Sequence, residues 1–266
     1  MLIRVVAVQM ELGRQLTLED KLHIFKQRPE FVCLPEYFMV GSDMPDFSRS
    51  ALQIKENLDY IQRLSMELDT CVIGGSVVES DGDCLYNSSY IFNRGHKLGK
   101  YRKLNPVSGE IAKGILPGDK IFVCEVDGIG VGLLICADAL NSGLFELMAM
   151  EQVDIIFIPT TSPLKPAESK SEKQKRDRDI YVRGAELAGA FVVKTCAVGH
   201  LFERPLQGRT LIASPWGIEA RVPFHDELDK TIVSAVLDIG GLREFRQKKA
   251  LQANRSLSSI YDDLVN

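Results

Sequence analysis

The sequence predicts an α/β sandwich built on a mixed β-sheet, carried by a single domain. Three observations predict it. Short runs such as Ile155-Ile156-Phe157-Ile158 are apolar on both faces, as strands covered from both sides must be. Turn signals at Asp81-Gly82-Asp83 and Asp127-Gly128 join neighbouring runs as hairpins. Segments with helical spacing alternate with these runs, the pattern of helices laid on a sheet. No internal repeat or linker-like composition shift divides the chain, and 266 residues suit one large α/β domain.

The elements follow in order. Ile3 to Val8 is a strand. Leu18 to Gln27 is an amphipathic helix, with Thr17 as its cap ahead of Glu19 and Asp20. Phe31 to Leu34 is a second buried strand, broken by Pro35. Asn57 to Leu68 has helical spacing, with Leu58, Ile61, Leu64 and Leu68 on one face. Cys71 to Val78 reads as a third strand, and Leu85 to Asn93 returns beside it. Gly95 to Gly99 reads as a turn beyond that strand. Ile121 to Glu125 and Gly130 to Cys136 form the next hairpin, and Leu144 to Glu151 is helical. Asp154 to Pro159 is a strand, Ile180 to Gly189 a helix, and Phe191 to Ala197 a strand. Arg209 to Ser214 and Ile232 to Leu237 complete the strands, with Pro215-Trp216-Gly217 turning the chain between them. The tail after Gly240 is helical in pattern from Leu242 to Leu251 and then polar; such tails dock on a neighbouring subunit or fray.

Composition narrows the function classes. The net charge is −4, which argues against nucleic acid or an anionic membrane as the main partner. No apolar stretch reaches the length of a membrane span. Met1-Leu2-Ile3-Arg4 runs directly into a strand without a basic leader or cleavage site, so a reducing, cytoplasmic setting is expected. Lys165 to Asp179 mixes both charge signs, as a solvated loop or helix face does. The six cysteines form no C-x-x-C pair, and Cys33, Cys71, Cys124 and Cys196 lie in or beside apolar runs as core filler. His23, His96, His200 and His225 are scattered, so no metal and no organic cofactor is expected.

Cys136 is different. It closes the apolar run Val131-Gly132-Leu133-Leu134-Ile135 and is followed at once by Ala137 and Asp138. A thiol at a strand end meets a cleft, where a thiol within the strand would pack. Free cysteine is nonetheless most often a small buried hydrophobe. Glu36 follows a buried strand in an aromatic and apolar setting, where a carboxylate can serve as proton acceptor; the competing reading is a strand-end acid paired with Arg or Lys. Lys103 and Glu110 flank Leu104-Asn105-Pro106, and a surface position is the common fate of both residue types. Together, an acid, an ammonium and a thiol that each follow a strand have a division of labour. The carboxylate takes the thiol proton, the ammonium stabilises a tetrahedral intermediate, and the sulfur attacks an acyl carbon. A nearby lysine also lowers a thiol pKa.

At these residues the chain resembles the nitrilase superfamily, the carbon–nitrogen hydrolases. The resemblance runs from the opening strand ending in Gln9 through Pro35-Glu36, Gly99-Lys100-Tyr101-Arg102-Lys103, Glu110, Pro117-Gly118 and Gly132-Leu133-Leu134-Ile135-Cys136 to Asp138. It continues at Asp154 to Pro159, Arg183-Gly184-Ala185-Glu186, Gly208-Arg209-Thr210 and a tail in which Arg255 precedes Tyr261. It implies a four-layer αββα sandwich of two mixed sheets, and a homodimer with C-terminal segments, here from about residue 241, crossing the interface. It implies Glu36 as general base, Lys103 as the intermediate-stabilising residue, Cys136 as nucleophile and Glu110 as the supporting glutamate. The Ala137 N–H would join Lys103 in the oxyanion hole. The expected reaction is hydrolysis of a small linear carboxamide; nitrile hydrolysis and N-carbamoyl amine hydrolysis are the alternatives, and a catalytically silent binding protein is the alternative from another class.

Three departures leave the substrate open, one of them the charged run Lys165 to Asp179, which lies where many members place pocket-lining residues. Ala137 stands where most members carry an aromatic or acidic residue. Ala139 to Glu146 replaces the common Arg-Phe-Pro-Glu stretch, with Glu146 as the candidate substitute for its glutamate.

Overall fold

β1 (Leu2–Glu11) opens the chain in a computed structural model that describes residues 1–251. Its side chains alternate, as a strand requires. Ile3, Val5 and Ala7 enter a core shared with Val131, Ile155 and Val193, while Val6 and Val8 pack with Ile24, Ile61 and Leu64 of two helices. Those helices are α1 (Leu18–Gln27) and, beyond β2 (Phe31–Cys33) and α2 (Phe47–Ala51), α3 (Ile54–Glu67). Thr17 caps α1: its hydroxyl oxygen accepts from the Asp20 N–H, and the Asp20 carboxylate accepts from the Thr17 N–H.

The predicted strand from Cys71 to Val78 is two strands, β3 (Cys71–Ile73) and β4 (Val77–Asp81). The break is Gly74-Gly75-Ser76. Gly75 has φ +56°, and a Cβ there would lie 2.0 Å from the Pro35 carbonyl oxygen. Only glycine lets the chain pass that close to the residue before Glu36.

β5 (Cys84–Asn93) returns as expected, but Gly95 to Gly99 is not a turn. The turn is Arg94-Gly95, and β6 (His96–Arg102) pairs antiparallel with β5. The strand was hidden because Tyr101 is its only buried residue. After α4 (Ser108–Ile111) and β7 (Ile115–Leu116), β8 (Phe122–Val126) and β9 (Ile129–Leu133) form the predicted hairpin. β9 ends at Leu133, and Cys136 instead opens a single 3-10 turn, Cys136–Leu140.

α5 (Ser142–Met150) and β10 (Ile155–Thr160) follow. The charged run is helical: α6 (Lys170–Asp177) continues through one π turn, Arg178–Val182, into α7 (Arg183–Ala188). Then come β11 (Phe191–Leu201), β12 (Arg204–Leu206), β13 (Leu211–Ser214), β14 (Gly217–Arg221) and β15 (Thr231–Asp238). β13 starts two residues later than the predicted Arg209. Residues 239–251 are helical, as the tail pattern predicts; Arg255 and Tyr261 lie outside the described residues.

The strands are mixed, as expected. β1, β2 and β3 run parallel to one another, with β15 antiparallel to β1 on one side and β5 antiparallel to β3 on the other. β9, β10 and β11 are likewise parallel, with β8 antiparallel to β9 on one side and the β13–β14 hairpin antiparallel to β11 on the other. The two groups join where Met10 and Glu11 of β1 pair with Ala197 and Val198 of β11. Phe31 of β2 meets Phe157 of β10 across the core, ring centroids 5.5 Å apart. Among the described residues no helix is long and apolar enough to cross a membrane.

Candidate active site

Three of the four predicted side chains follow the end of a strand, and Glu110 comes from a short helix. Pro35 stops β2, and Glu36 follows, wholly buried. Ser76, released by the Gly74-Gly75 break, accepts the Tyr37 N–H on its hydroxyl at 3.0 Å and pins the segment. Lys103 comes directly after β6, and its N–H donates to the Asn87 carbonyl of β5 at 2.9 Å. Glu110 sits in α4, where its Oε2 accepts the Val107 N–H at 2.8 Å. Cys136 stands at φ +48°, a left-handed conformation that a non-glycine residue adopts only when its surroundings impose it.

The structure brings these residues to one place. Lys103 Nζ donates to Glu36 Oε1 at 2.8 Å and to Glu110 Oε2 at 2.7 Å. Asn87 Nδ2 lies 2.9 Å from both Glu36 Oε1 and Glu110 Oε1, bridging the two acids, and the Tyr37 hydroxyl donates to Glu110 at 2.6 Å. Thr161, just past β10, links acid and thiol. Its N–H donates to Glu36 Oε2 at 2.7 Å, its hydroxyl donates to the same oxygen, and its carbonyl accepts from Cys136 Sγ at 3.3 Å.

Asp138 ties the thiol's turn to the segment after Lys103. The buried carboxylate accepts from the Ile135 N–H at 2.9 Å, the Tyr101 hydroxyl at 2.8 Å and the Asn105 N–H at 2.7 Å. Cys136, Ala137, Lys103, Glu110 and Thr161 all line one cavity of about 280 Å³.

Burial works against each charge, and the network decides the outcome. Burial favours the neutral Lys103 amine, but the Glu36, Cys136 and Glu110 charges outweigh it and hold its pKa well above the ordinary value. Burial raises the Glu110 carboxyl, but Lys103, the Tyr37 hydroxyl and the Val107 N–H bring it below the ordinary carboxylate range. Cys136 corrects the expectation of an acidified thiol. Lys103 does lower it, but burial and then the Glu36 charge dominate, so the resting thiol is pushed well above its usual value.

Three further expectations change. Glu146 points to solvent from α5 and does not line the cavity, so it does not replace the missing glutamate there. The charged run is not wholly solvated: Lys165 and Arg176 line the cavity, and Asp177 is fully buried. Cys124 is half-buried, whereas Cys33, Cys71 and Cys196 are core filler as read.

Sequence reasoning assigned no role to Asn87, Thr161, Tyr37 or Asp138. A signal existed for two of them. Asn87 opens a polar run, Asn87-Ser88-Ser89, in the middle of β5, and Thr161 occupies the rim position after a doubly buried strand.

An acid, an ammonium and a thiol meeting at strand ends of an α/β fold define a class, the hydrolases that act on carbon–nitrogen bonds. The chain belongs to the carbon-nitrogen hydrolase family, whose model matches residues 7–247. It is 27% identical over 240 residues to the omega-amidase NIT2 of Xenopus tropicalis, covering 85% of this chain and 83% of that protein. It is 28% identical over 236 residues to the omega-amidase NIT2 of Homo sapiens, covering 84% and 81%. The fold matches a carbon-nitrogen hydrolase from Helicobacter pylori G27, with a TM-score of 0.79 at 19% identity over 100% of this chain and 98% of that one. It also matches an amidase from Nesterenkonia sp. AN1 whose active-site cysteine carries a Michael adduct of acrylamide, with a TM-score of 0.73 at 15% identity over 94% and 99%.

Proposed function

We propose that the chain is a cysteine-dependent amidase that hydrolyses a small linear carboxamide through a thioester. Glu36 accepts the Cys136 proton as the sulfur attacks the amide carbon. The negative charge on the former carbonyl oxygen is met by Lys103 Nζ and the Ala137 N–H. Collapse of the tetrahedral intermediate breaks the C–N bond, and Glu36 returns its proton to the departing ammonia. Water then gives a proton to Glu36 and attacks the thioester; the second collapse releases the acid and restores the thiol. Glu110, anchored by Tyr37, keeps Lys103 charged and aimed.

The observation that carries this reading is the position of Lys103 Nζ between Glu36 and Glu110, beside a thiol held by Thr161. Burying three charges costs several kcal/mol per ion, so stability alone favours apolar residues here. The raised thiol fits as well. It keeps its proton until a carbonyl arrives, so deprotonation and attack go together.

The same reading takes the two strand groups and their outer helices as a four-layer αββα sandwich. It takes two copies as a homodimer, with the tail from about residue 241 at the contact. It places the chain in the cytoplasm, where its free thiols are stable. Light scattering at micromolar concentration tests the dimer; a monomer there contradicts it. A panel of simple amides, nitriles and N-carbamoyl amino acids, read by ammonia release, tests the reaction. Turnover of amides supports the amidase reading, and turnover of nitriles alone overturns it.

A further inference from the structure

Tyr37 controls how Glu110 is turned. Its hydroxyl and Asn87 Nδ2 are the two donors to Glu110 Oε1, at 2.6 Å and 2.9 Å. Oε2 of the same carboxylate accepts from Lys103 and from the Val107 N–H. Tyr37 therefore sets the rotation of the acid that holds the Lys103 ammonium. Its own backbone is at φ +54°, a left-handed conformation that a non-glycine residue keeps only under constraint. It also borders the cavity beside Cys136, where no protein packs on it.

The support for its ring is aromatic. Phe47 of α2 stacks on Tyr37, with ring centroids 4.8 Å apart and planes at 24°. Phe202 meets Phe47 edge to face, at 5.0 Å and 70°. Phe202 sits in the turn of the β11–β12 hairpin and is also at φ +54°. Lys113 Nζ, just beyond α4, lies 4.5 Å from the Phe202 ring centroid. Phe47, Phe202 and Lys113 border a second cavity, of about 630 Å³, so the stack has open space beside it and Phe202 closes its outer end. Aromatic pairs have preferred geometries, so a stack of three rings fixes orientation as well as burying area.

We infer that Phe202 and Phe47 are positioning residues that act on the reaction through Tyr37. They hold its hydroxyl on Glu110, and Glu110 in turn holds Lys103 at the angle that meets the tetrahedral intermediate. This rests on the amidase reading of the site. The β11–β12 hairpin thus acts on the chemistry without touching the reacting atoms. Without the outer ring, Phe47 and then Tyr37 turn, Oε1 keeps only its bond from Asn87, and Lys103 loses its aim. The walls that bind the rest of the substrate stay in place, so the loss falls on kcat and not on KM.

The test is a double-mutant cycle of Phe202→Leu and Tyr37→Phe, with kcat and KM read by ammonia release from an amide that the unaltered enzyme turns over. Phe202 is half-buried, and leucine carries the same backbone strain there, so Phe202→Leu removes the ring and little else. It should lower kcat by about five- to ten-fold with KM changed by less than about two-fold, and Phe202→Tyr should keep most of the activity. Tyr37→Phe, which lacks the hydroxyl, should lose kcat by about ten-fold. Adding Phe202→Leu to it should then cost less than about two-fold, because the bond that the ring positions is already gone. Phe47→Leu repeats the cycle at the inner ring. A fall in kcat as large in the Tyr37→Phe background as in the unaltered one, or no fall in either, overturns the positioning role and leaves the amidase reading standing. No turnover of any simple amide overturns the amidase reading. In that event the same cycle is read by urea unfolding. A smaller shift in midpoint for Tyr37→Phe in the Phe202→Leu background still links the ring to the hydroxyl, and equal shifts overturn that link too.

Discussion

Lys103 Nζ sits 2.8 Å from Glu36 Oε1, with each side chain 1% exposed. The pair is completed by Glu110 on the other side of the ammonium, so one cation serves two buried acids. Taking these three charges out of water costs several kcal/mol per ion, which their mutual attraction must offset.

Removing the cation strands both acids. Lys103→Met should destabilise the fold by about 3–5 kcal/mol, the usual cost of breaking a buried pair, and reduce kcat by at least about a thousand-fold through lost stabilisation of the intermediate. Adding Glu110→Gln to Lys103→Met should recover part of the stability and none of the activity. Urea unfolding and ammonia release measure the two effects separately. A Lys103→Met enzyme that keeps most of its kcat removes the role given to this lysine.

The raised Cys136 thiol makes a prediction about alkylation. Burial and the Glu36 charge hold the free-enzyme thiol above its ordinary value, so the thiolate fraction at neutral pH is small and grows as pH rises. Iodoacetamide labelling of Cys136, followed by peptide mass spectrometry, should accelerate steadily with pH beyond 9, without a plateau near neutrality. A plateau below pH 8 would mean that Lys103 wins over burial.

Asp138 holds two segments at once, and its amide analogue cannot. Asp138→Asn turns one acceptor oxygen into a donor that faces existing donors, either Tyr101 and Ile135 or Asn105. The expected result is a loss of about 2–3 kcal/mol of stability and a fall in kcat greater than the rise in KM. Tyr101→Phe should cost only about 1 kcal/mol, because it removes one bond and leaves no donor opposed. Equal behaviour of the two variants would contradict the tether.

Thr161 separates backbone from side chain. Its N–H and carbonyl are retained in any variant, so Thr161→Ser should keep nearly full activity, while Thr161→Val loses the hydroxyl that donates to Glu36. A drop of about ten-fold in kcat for Val with rescue by Ser is expected. Equal kcat for Ser and Val would show that the hydroxyl does not act on the acid.

These residues show what a linear sequence reveals. Strands buried on both faces, such as Ile155–Thr160, and a helix with its own cap, Leu18–Gln27, are legible because their signals are local. β6 was not, since a strand with a solvated face and one buried tyrosine carries little apolar pattern. Gly75 announces a break only once the Pro35 carbonyl is known to lie against it. In the site, Cys136, Lys103 and Glu36 stood out through their strand-end settings and the family resemblance, and Glu110 through the resemblance alone. Asn87 and Thr161 did not, because their roles exist only between segments distant in the chain. The thiol's pKa went the other way from expectation for the same reason: depth and the neighbouring acid are properties of the fold.

The most direct test is quenched-flow mass spectrometry of the intact protein during turnover of an amide. Acid-quenched samples should contain protein heavier by the acyl group, with the added mass mapped to Cys136 and absent from Cys136→Ala, which should fold normally and release no ammonia. Turnover that survives in Cys136→Ala, or acylation mapped to a different residue, would contradict a thioester at this sulfur.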